Sequence, residues 1–268
     1  MNPGAPGRAD MANVTRPHPA RMYDYLLGGK DNRAADREAA AKIIAVAPEI
    51  RDMAWANRAF LQRAVRYLAR DAGITQFLDI GTGSPASPNV HEIAAEHAAD
   101  PKVAYIDNDP VVHAHANALL TGTGATRVVL ADLRDPGKII AKAVEFLDLA
   151  EPVALLLDAV LHFVPDADEP CDIVASLRDA LAPGSFMALS HGTTDFHDEE
   201  VTATAAAAFD RAVAPLVLRP RDRIARFLRG FTPVDPGLVQ LPLWRPDVRP
   251  KPVDLAKIGM YAAVAAKD

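Results

Sequence analysis

Residues Phe77–Pro85 read Phe-Leu-Asp-Ile-Gly-Thr-Gly-Ser-Pro, and the fold follows from how this stretch is parsed. A short apolar run ends in Asp79, a Gly-x-Gly turn follows at Gly81 and Gly83, and an apolar-periodic segment from Val90 reads as a helix. Glycine suits such a turn because, without a Cβ, the backbone bends sharply and approaches a ligand closely. The next helix is expected to present unpaired N–H groups from its N-terminus to an anionic part of that ligand.

Downstream, apolar runs end in acids at a regular interval. Val103–Ile106 leads into Asp107, Arg127–Ala131 into Asp132 and Pro152–Leu157 into Asp158; the steps from Asp79 are 28, 25 and 26 residues. Each step has the length of one strand–helix–strand unit. Runs of this kind fit strands buried on both faces of a parallel sheet. Ligands of such sheets bind beyond the carboxyl ends of the strands, where the four acids are expected to gather. Asp107 lies 24 residues after Gly83, close to the spacing of an acid that hydrogen-bonds a ribose diol. A nucleoside-containing ligand is therefore expected.

The stretch Gly81-Thr-Gly83-Ser-Pro-Ala86 also satisfies G-x-G-x-x-G/A, which makes an NAD-dependent oxidoreductase the natural rival. Three features count against it. Asp79 places a carboxylate where a ligand ammonium suits better than a pyrophosphate. Pro85 removes an N–H from the segment where a pyrophosphate needs donors. Asp132 repeats the acid at the third strand end, where an adenine amino group could donate to it. An amino acid head, a ribose and an adenine together make S-adenosylmethionine.

With these motifs in view the chain resembles the class I S-adenosylmethionine-dependent methyltransferases. FLDIGTGSP is similar to their first motif, VAYIDNDP at 103–110 to the second, VVLADLRDP at 128–136 to the third and LLLDAVLHFVPD at 155–166 to the fourth. RMYDYLLGGKDNRAADREAA at 21–40, NRAFLQRAVRYLA at 57–69 and PLWRP at 242–246 resemble, more narrowly, an actinobacterial family with a methyltransferase-like fold, long labelled a domain of unknown function. The likeness runs from about Arg16 to the C-terminus. Ser84-Pro85-Ala86-Ser87 departs from it, standing where Leu-Pro-Thr is expected. The resemblance implies a doubly wound, Rossmann-like seven-stranded α/β sheet with an N-terminal helical cap. The cofactor contacts expected are Asp79, Gly81, Gly83, Asp107, Asn108, Asp132, Leu133, Arg58 and Tyr23.

Composition narrows the class further. The 268 residues carry a net charge of −6, which argues against a binder dominated by nucleic-acid phosphates. No apolar stretch approaches the ~18–20 residues that span a bilayer. No secretory signal pattern is visible, and one cysteine, Cys171, fits a reducing cytoplasm. Residues 1–15 read as a disordered leader, 16–72 as the helical cap and 73–268 as the cofactor-binding core. Two final strands are expected near Leu238–Leu243 and Met260–Ala265.

Other constellations have plainer readings. Gly28-Gly29-Lys30 lacks the spacing and the preceding strand of a phosphate loop; it reads as a helix-ending turn or as a hinge that brings Tyr23, Tyr25 or Lys30 over the cofactor. Arg58 could pair with the cofactor carboxylate. His162, His191 and Asp158 follow strand ends and are the candidate bases for a hydroxyl or amine acceptor. No histidine spacing suggests a metal. The arginines at 219, 221, 223, 226 and 229 read as a solvated face. The function expected is methyl transfer to an O or N atom of a small molecule, with a non-catalytic S-adenosylmethionine sensor as the contrasting reading. A roomy pocket lined by His162 and His191 would mark the enzyme, and cap side chains filling that space would mark the sensor.

Overall fold

The computed structural model describes residues 16–120, 124–212 and 214–268; the leader expected at 1–15 lies outside them. The chain opens with three helices, α1 (Pro19–Leu26), α2 (Ala34–Val46) and α3 (Ile50–Arg70). Helix α1 starts where His18 caps it and Pro19 enters at its first turn, a position that needs no N–H. It is followed by Gly28 at φ +83°. Asp24 folds against Gly29 so closely that a Cβ there would meet its Oδ1 at 1.9 Å. In α3 the buried positions 54, 57, 60, 61, 64, 65, 68 and 69 repeat at helical spacing and form one core-facing stripe.

Strands and helices then alternate: β1 (Gln76–Ile80), α4 (Val90–Ala95), β2 (Lys102–Asp107), α5 (Pro110–Leu120), β3 (Thr126–Leu130), α6 (Pro136–Ala143), β4 (Ala154–Leu157), α7 (Pro170–Asp179) and β5 (Phe186–Gly192). The remainder comprises α8 (Glu199–Ala212), α9 (Arg221–Ile224), β6 (Thr232–Pro233), β7 (Val239–Gln240), α10 (Pro252–Leu255) and β8 (Met260–Ala266). Strands β1 to β5 are parallel and β8 runs antiparallel to β5. The sheet order is β3-β2-β1-β4-β5-β8-β6, with β7 also on β8.

The sheet thus has eight strands rather than the seven expected. It still has seven positions across, because β6 pairs with residues 265–266 of β8 and β7 with residues 261–262, sharing one edge. The strand expected over Leu238–Leu243 shrinks to two residues: Pro242 cannot donate to a ladder, and Leu241–Leu243 turns into a 3-10 helix. Chain reversal falls after β3, so β1 and β4 are neighbours and their carboxyl ends form the crevice in which ligands of such sheets bind.

Side chains alternate across the sheet. Leu78, Ile80, Ile106, Leu155, Leu157, Met187 and Leu189 pack with Ile139 of α6 and Ile173 and Leu177 of α7. Phe77, Val103, Tyr105, Leu156 and Val264 pack on the other face with Phe60, Leu61 and Leu68 of α3 and Ile93 of α4. Helix α3 is therefore a layer of the sheet, although its sequence position groups it with the cap. A third cluster joins Met22 of α1 and Ala40 and Ile43 of α2 to Phe209 of α8, so α1 and α2 gain their buried contacts from a helix nearly 170 residues later. Among the described residues no helix is long and apolar enough to cross a membrane.

Candidate active site

The Gly-x-Gly turn forms as its composition requires. Gly81 and Gly83 sit at φ +76° and +69°, a region costly for residues with a Cβ. A Cβ on Gly81 would lie 2.5 Å from Val160 Cγ2. The turn is tied to the second strand, because Gly81 and Thr82 both donate N–H to the Ile106 carbonyl at 2.8 and 3.2 Å. The next helix does not play the part expected of it. Helix α4 begins only at Val90, spans six residues and is closed by a capping box of Asn89 and Glu92, so its first N–H groups are already engaged.

Asp79 ends up buried beneath the turn. Burial, reinforced by the nearby Asp158 charge, pushes its carboxyl up to about 7. Asp158, just past β4, is raised to about 6 by burial. It accepts Ser190 Oγ at 2.7 Å and Asn57 Nδ2 at 2.7 Å. The same amide donates to Tyr23 Oη at 3.2 Å, and that hydroxyl donates to the Ala54 carbonyl at 3.0 Å. A carboxylate on one side fixes the orientation of the Asn57 amide, since only its NH2 can donate there. Its Oδ1 is buried with no hydrogen-bond partner. Ala159, at φ +52°, holds the backbone after Asp158 in the left-handed region, a strain of a kind that concentrates at functional sites.

Asp107 is also buried, and its two oxygens accept from Gly83 N and Asp109 N at 2.9 Å each. Each oxygen keeps a second lone pair for a hydroxyl donor. Asp132 is more committed than expected. Arg134 bonds both its oxygens at 2.7 and 2.8 Å, and Asn108 Nδ2 bonds one at 2.9 Å. The Arg134 side chain holds this carboxyl well below the usual range. An adenine amino group would have to share those oxygens. Asn108 is thereby engaged at Asp132, and Leu133 is buried in the core cluster against the sheet.

Arg58 reaches the same region, but its Nη2 donates to the Ala86 and Pro88 carbonyls, so it braces the loop after the glycine turn. Tyr23 reaches the site from α1, whose Ala20 lies 4.0 Å from where a Gly83 Cβ would be. Burial pushes the Tyr23 phenol well up, which keeps it a neutral donor.

The histidines correct the sequence expectation. His191 is 0% exposed; its Nδ1 bonds the Gly192 carbonyl at 2.6 Å and its Nε2 meets Arg219 Nη1 at 3.0 Å. Because Arg219 can only donate, the Nε2 lone pair is taken. His162 Nδ1 accepts Gly192 N at 3.3 Å, and burial pulls this imidazole down to about 3. As placed, neither ring has a free lone pair to receive a proton, which leaves Asp158 among the three candidate bases. A cavity of about 380 Å³ lies along the loop after β5, lined by Asp195, Phe196, His197, Asp198 and Val201.

Arg219 also departs from its expected solvated face. It is 3% exposed and bonds the Leu161 and Val164 carbonyls and Asp166. Asn57 and Ser190 are the site residues that sequence reasoning passed over. Their signal was a polar residue at a core-facing position, Asn57 on the buried stripe of α3 and Ser190 at the end of an apolar strand. Among the described residues, no group of three or more His, Cys, Asp or Glu is arranged for a metal ion.

A doubly wound sheet with a glycine turn, acids at adjacent strand ends and a buried acceptor cluster defines a Rossmann-like nucleoside-binding protein of the methyltransferase type. The orphaned Asn57 oxygen beside the carboxylates of Asp79 and Asp158 fits a cationic ammonium. Residues 7–268 match the family described as S-adenosyl methyltransferase, and the chain belongs to that family. It is an S-adenosylmethionine-dependent methyltransferase, and S-adenosylmethionine is its cofactor. A DUF574 family protein from Streptomyces avermitilis MA-4680 is 40% identical, with 96% of this chain and 99% of that chain covered at a TM-score of 0.90. A candidate methyltransferase from Thermobifida fusca YX is 35% identical over 95% of this chain and 96% of that one, with a TM-score of 0.89. The 1,6-didemethyltoxoflavin-N1-methyltransferase of Burkholderia thailandensis shares the fold at 18% identity, 100% and 93% coverage and a TM-score of 0.50. No curated protein matches the chain.

Proposed function

We propose that the chain transfers the methyl group to an oxygen or nitrogen of a small molecule, with Asp158 as the proton acceptor. The cofactor supplies a methyl on a sulfonium centre, and attack by an acceptor lone pair breaks the carbon–sulfur bond to leave a neutral thioether. The observation that carries the reading is the pair Asp79, buried, and Asp158, half-buried, at neighbouring strand ends, with Asn57 Oδ1 unpaired.

Asp79 and Asn57 present acceptors to the amino acid end of the cofactor, and Arg58 keeps the loop above it closed. Asp107 would take the ribose hydroxyls on its free lone pairs, held in place by the N–H of Gly83. Asp132, Asn108 and Leu133 form the wall on which the adenine lies. Tyr23 covers the site and excludes water, which protects a reactive sulfonium. Asp158, oriented by Ser190 and Asn57, is ionised for most of its population at neutral pH and receives the proton released by a hydroxyl or protonated amine acceptor. The single free cysteine accords with a cytoplasmic setting.

The test is release of S-adenosylhomocysteine with a panel of small hydroxyl and amine acceptors. Asp158→Asn should lower kcat by ~10²–10⁴-fold, the span of general-base catalysis. In the unmodified enzyme kcat should rise with pH through about 6, as Asp158 loses its proton. Full kcat in Asp158→Asn would remove the base.

A further inference from the structure

One strongly bonded cluster lies outside the cofactor cradle and is not used in the transfer step. Arg21 of α1 is 1% exposed. Its Nε donates to Asp36 Oδ2 of α2 at 3.0 Å, and its Nη1 pairs with Asp109 Oδ2 in the loop after β2. His18 adds a backbone tie, its N–H donating to Asp36 Oδ1 at 2.9 Å, while its ring Nδ1, which caps α1 by accepting Ala20 N, lies 3.3 Å from Asp109 Oδ2. A buried cation shared between two buried carboxylates is stable when every partner is present and costly when one is withdrawn. Docking of α1 is therefore close to all-or-none.

Asp109 is also the residue that orients Asp107. Its backbone N–H donates to Asp107 Oδ1 at 2.9 Å, while its own Oδ1 accepts Val111 N at 2.9 Å at the start of α5. The other Asp107 oxygen is held by Gly83 N, on the glycine turn, where a Cβ at Gly83 would lie 4.0 Å from Ala20 of α1. One support of the Asp107 carboxylate is thus tied to α1 directly, through Arg21 and Asp109.

We propose that Arg21 is a positioning residue that couples docking of α1 to nucleoside binding, acting through Asp109 on the Asp107 carboxylate. The inference rests on the assignment of the ribose to Asp107. When α1 is docked, the carboxylate plane is set and its two free lone pairs are aligned for a diol. When α1 lifts, Asp109 loses its counter-charge and the loop that carries Asp107 relaxes. Linkage makes the effect reciprocal: whatever factor docking adds to affinity, the ligand adds to docking.

The test uses the full chain, with S-adenosylhomocysteine as ligand, calorimetry for affinity and amide hydrogen exchange over residues 19–26. In the unmodified protein the ligand should slow exchange of this segment. In the double variant Arg21→Gln/Asp109→Asn, which replaces the ion pair by a neutral one, affinity should fall at least tenfold. The ligand-induced slowing should shrink by the same factor, with exchange of the sheet amides unchanged. Arg21→Lys, which keeps a cation but loses the fork that reaches both acids, should fall between and serves if the double variant does not fold. Unchanged affinity would overturn the proposal. So would weakened binding with the ligand response of residues 19–26 intact, which would make Arg21 a purely structural tie. Asp107→Asn with unaltered affinity would instead sink the ribose assignment, whatever Arg21 does.

Discussion

At the scale of single residues, the buried acids govern how the site responds to pH. Asp79 in the folded protein titrates near 7, whereas an unfolded aspartate titrates at ~3.9. Its folded value is raised, so its contribution to stability is fully present below ~4 and is lost as pH rises towards 7. The ligand-free protein should therefore show a thermal midpoint that declines between pH 5 and 7, and Asp79→Asn should flatten part of that slope. A bound ammonium reverses the preference by favouring the charged carboxylate. Binding of S-adenosylhomocysteine should release protons near pH 6.5, and its affinity should rise with pH over the same window; a pH-independent affinity would place the ammonium elsewhere. Asp107→Asn should weaken the same ligand by about 2–4 kcal/mol, through lost charge-assisted bonds to the ribose and a misfit of the new amide against two N–H donors. Calorimetry at a fixed pH above 7 separates this from the Asp79 effect.

At the scale of elements, the turn between β1 and α4 is the least tolerant piece of the chain. Gly81→Ala combines a left-handed backbone, costing ~1–2 kcal/mol, with an overpacked contact on Val160 worth ~1–3 kcal/mol. Denaturant unfolding should show a loss of about 2–5 kcal/mol. Adding Val160→Ala should recover only part of the steric cost, because the Cβ at position 160 would still lie 2.8 Å from the new methyl and the backbone strain remains. The segment after β4 depends on Arg219 in a comparable way. Arg219→Met would strip the Val164 carbonyl of its side-chain donor, leave the Leu161 carbonyl with only the Val164 N–H, and leave the His191 lone pair without its donor. A loss of about 2–4 kcal/mol is expected from unpaired buried acceptors, with a smaller loss for Arg223→Met, whose bond to Asp166 is exposed. Equal losses in the two variants would show that the Arg219 network adds nothing beyond its surface ion pair.

For the whole molecule, a sequence read in isolation and a folded chain determine different things. The parallel order of the first five strands, the glycine turn and the clustering of Asp79, Asp107, Asp132 and Asp158 at strand ends were legible, because each depends on local periodicity and on a repeated unit length. Strand count at the far edge was not. Whether a segment such as Val239–Gln240 pairs depends on the free edge that β8 offers, and nothing within the segment itself records that edge. The surroundings of the histidines were not legible for a similar reason: His191 carries the same side chain in a pocket or a core, and Arg219, brought in from 28 positions away, occupies its lone pair only in the folded chain. The same holds for Asn57, which became part of the site when α3 packed on the sheet and met Asp158 across 101 residues of chain. Local composition determined the backbone path and the acids along it. Long-range packing decided which polar atoms are paired, which are left free, and hence which of them can bind or react, since hydrogen-bond partners distant in sequence are assigned only by the tertiary fold.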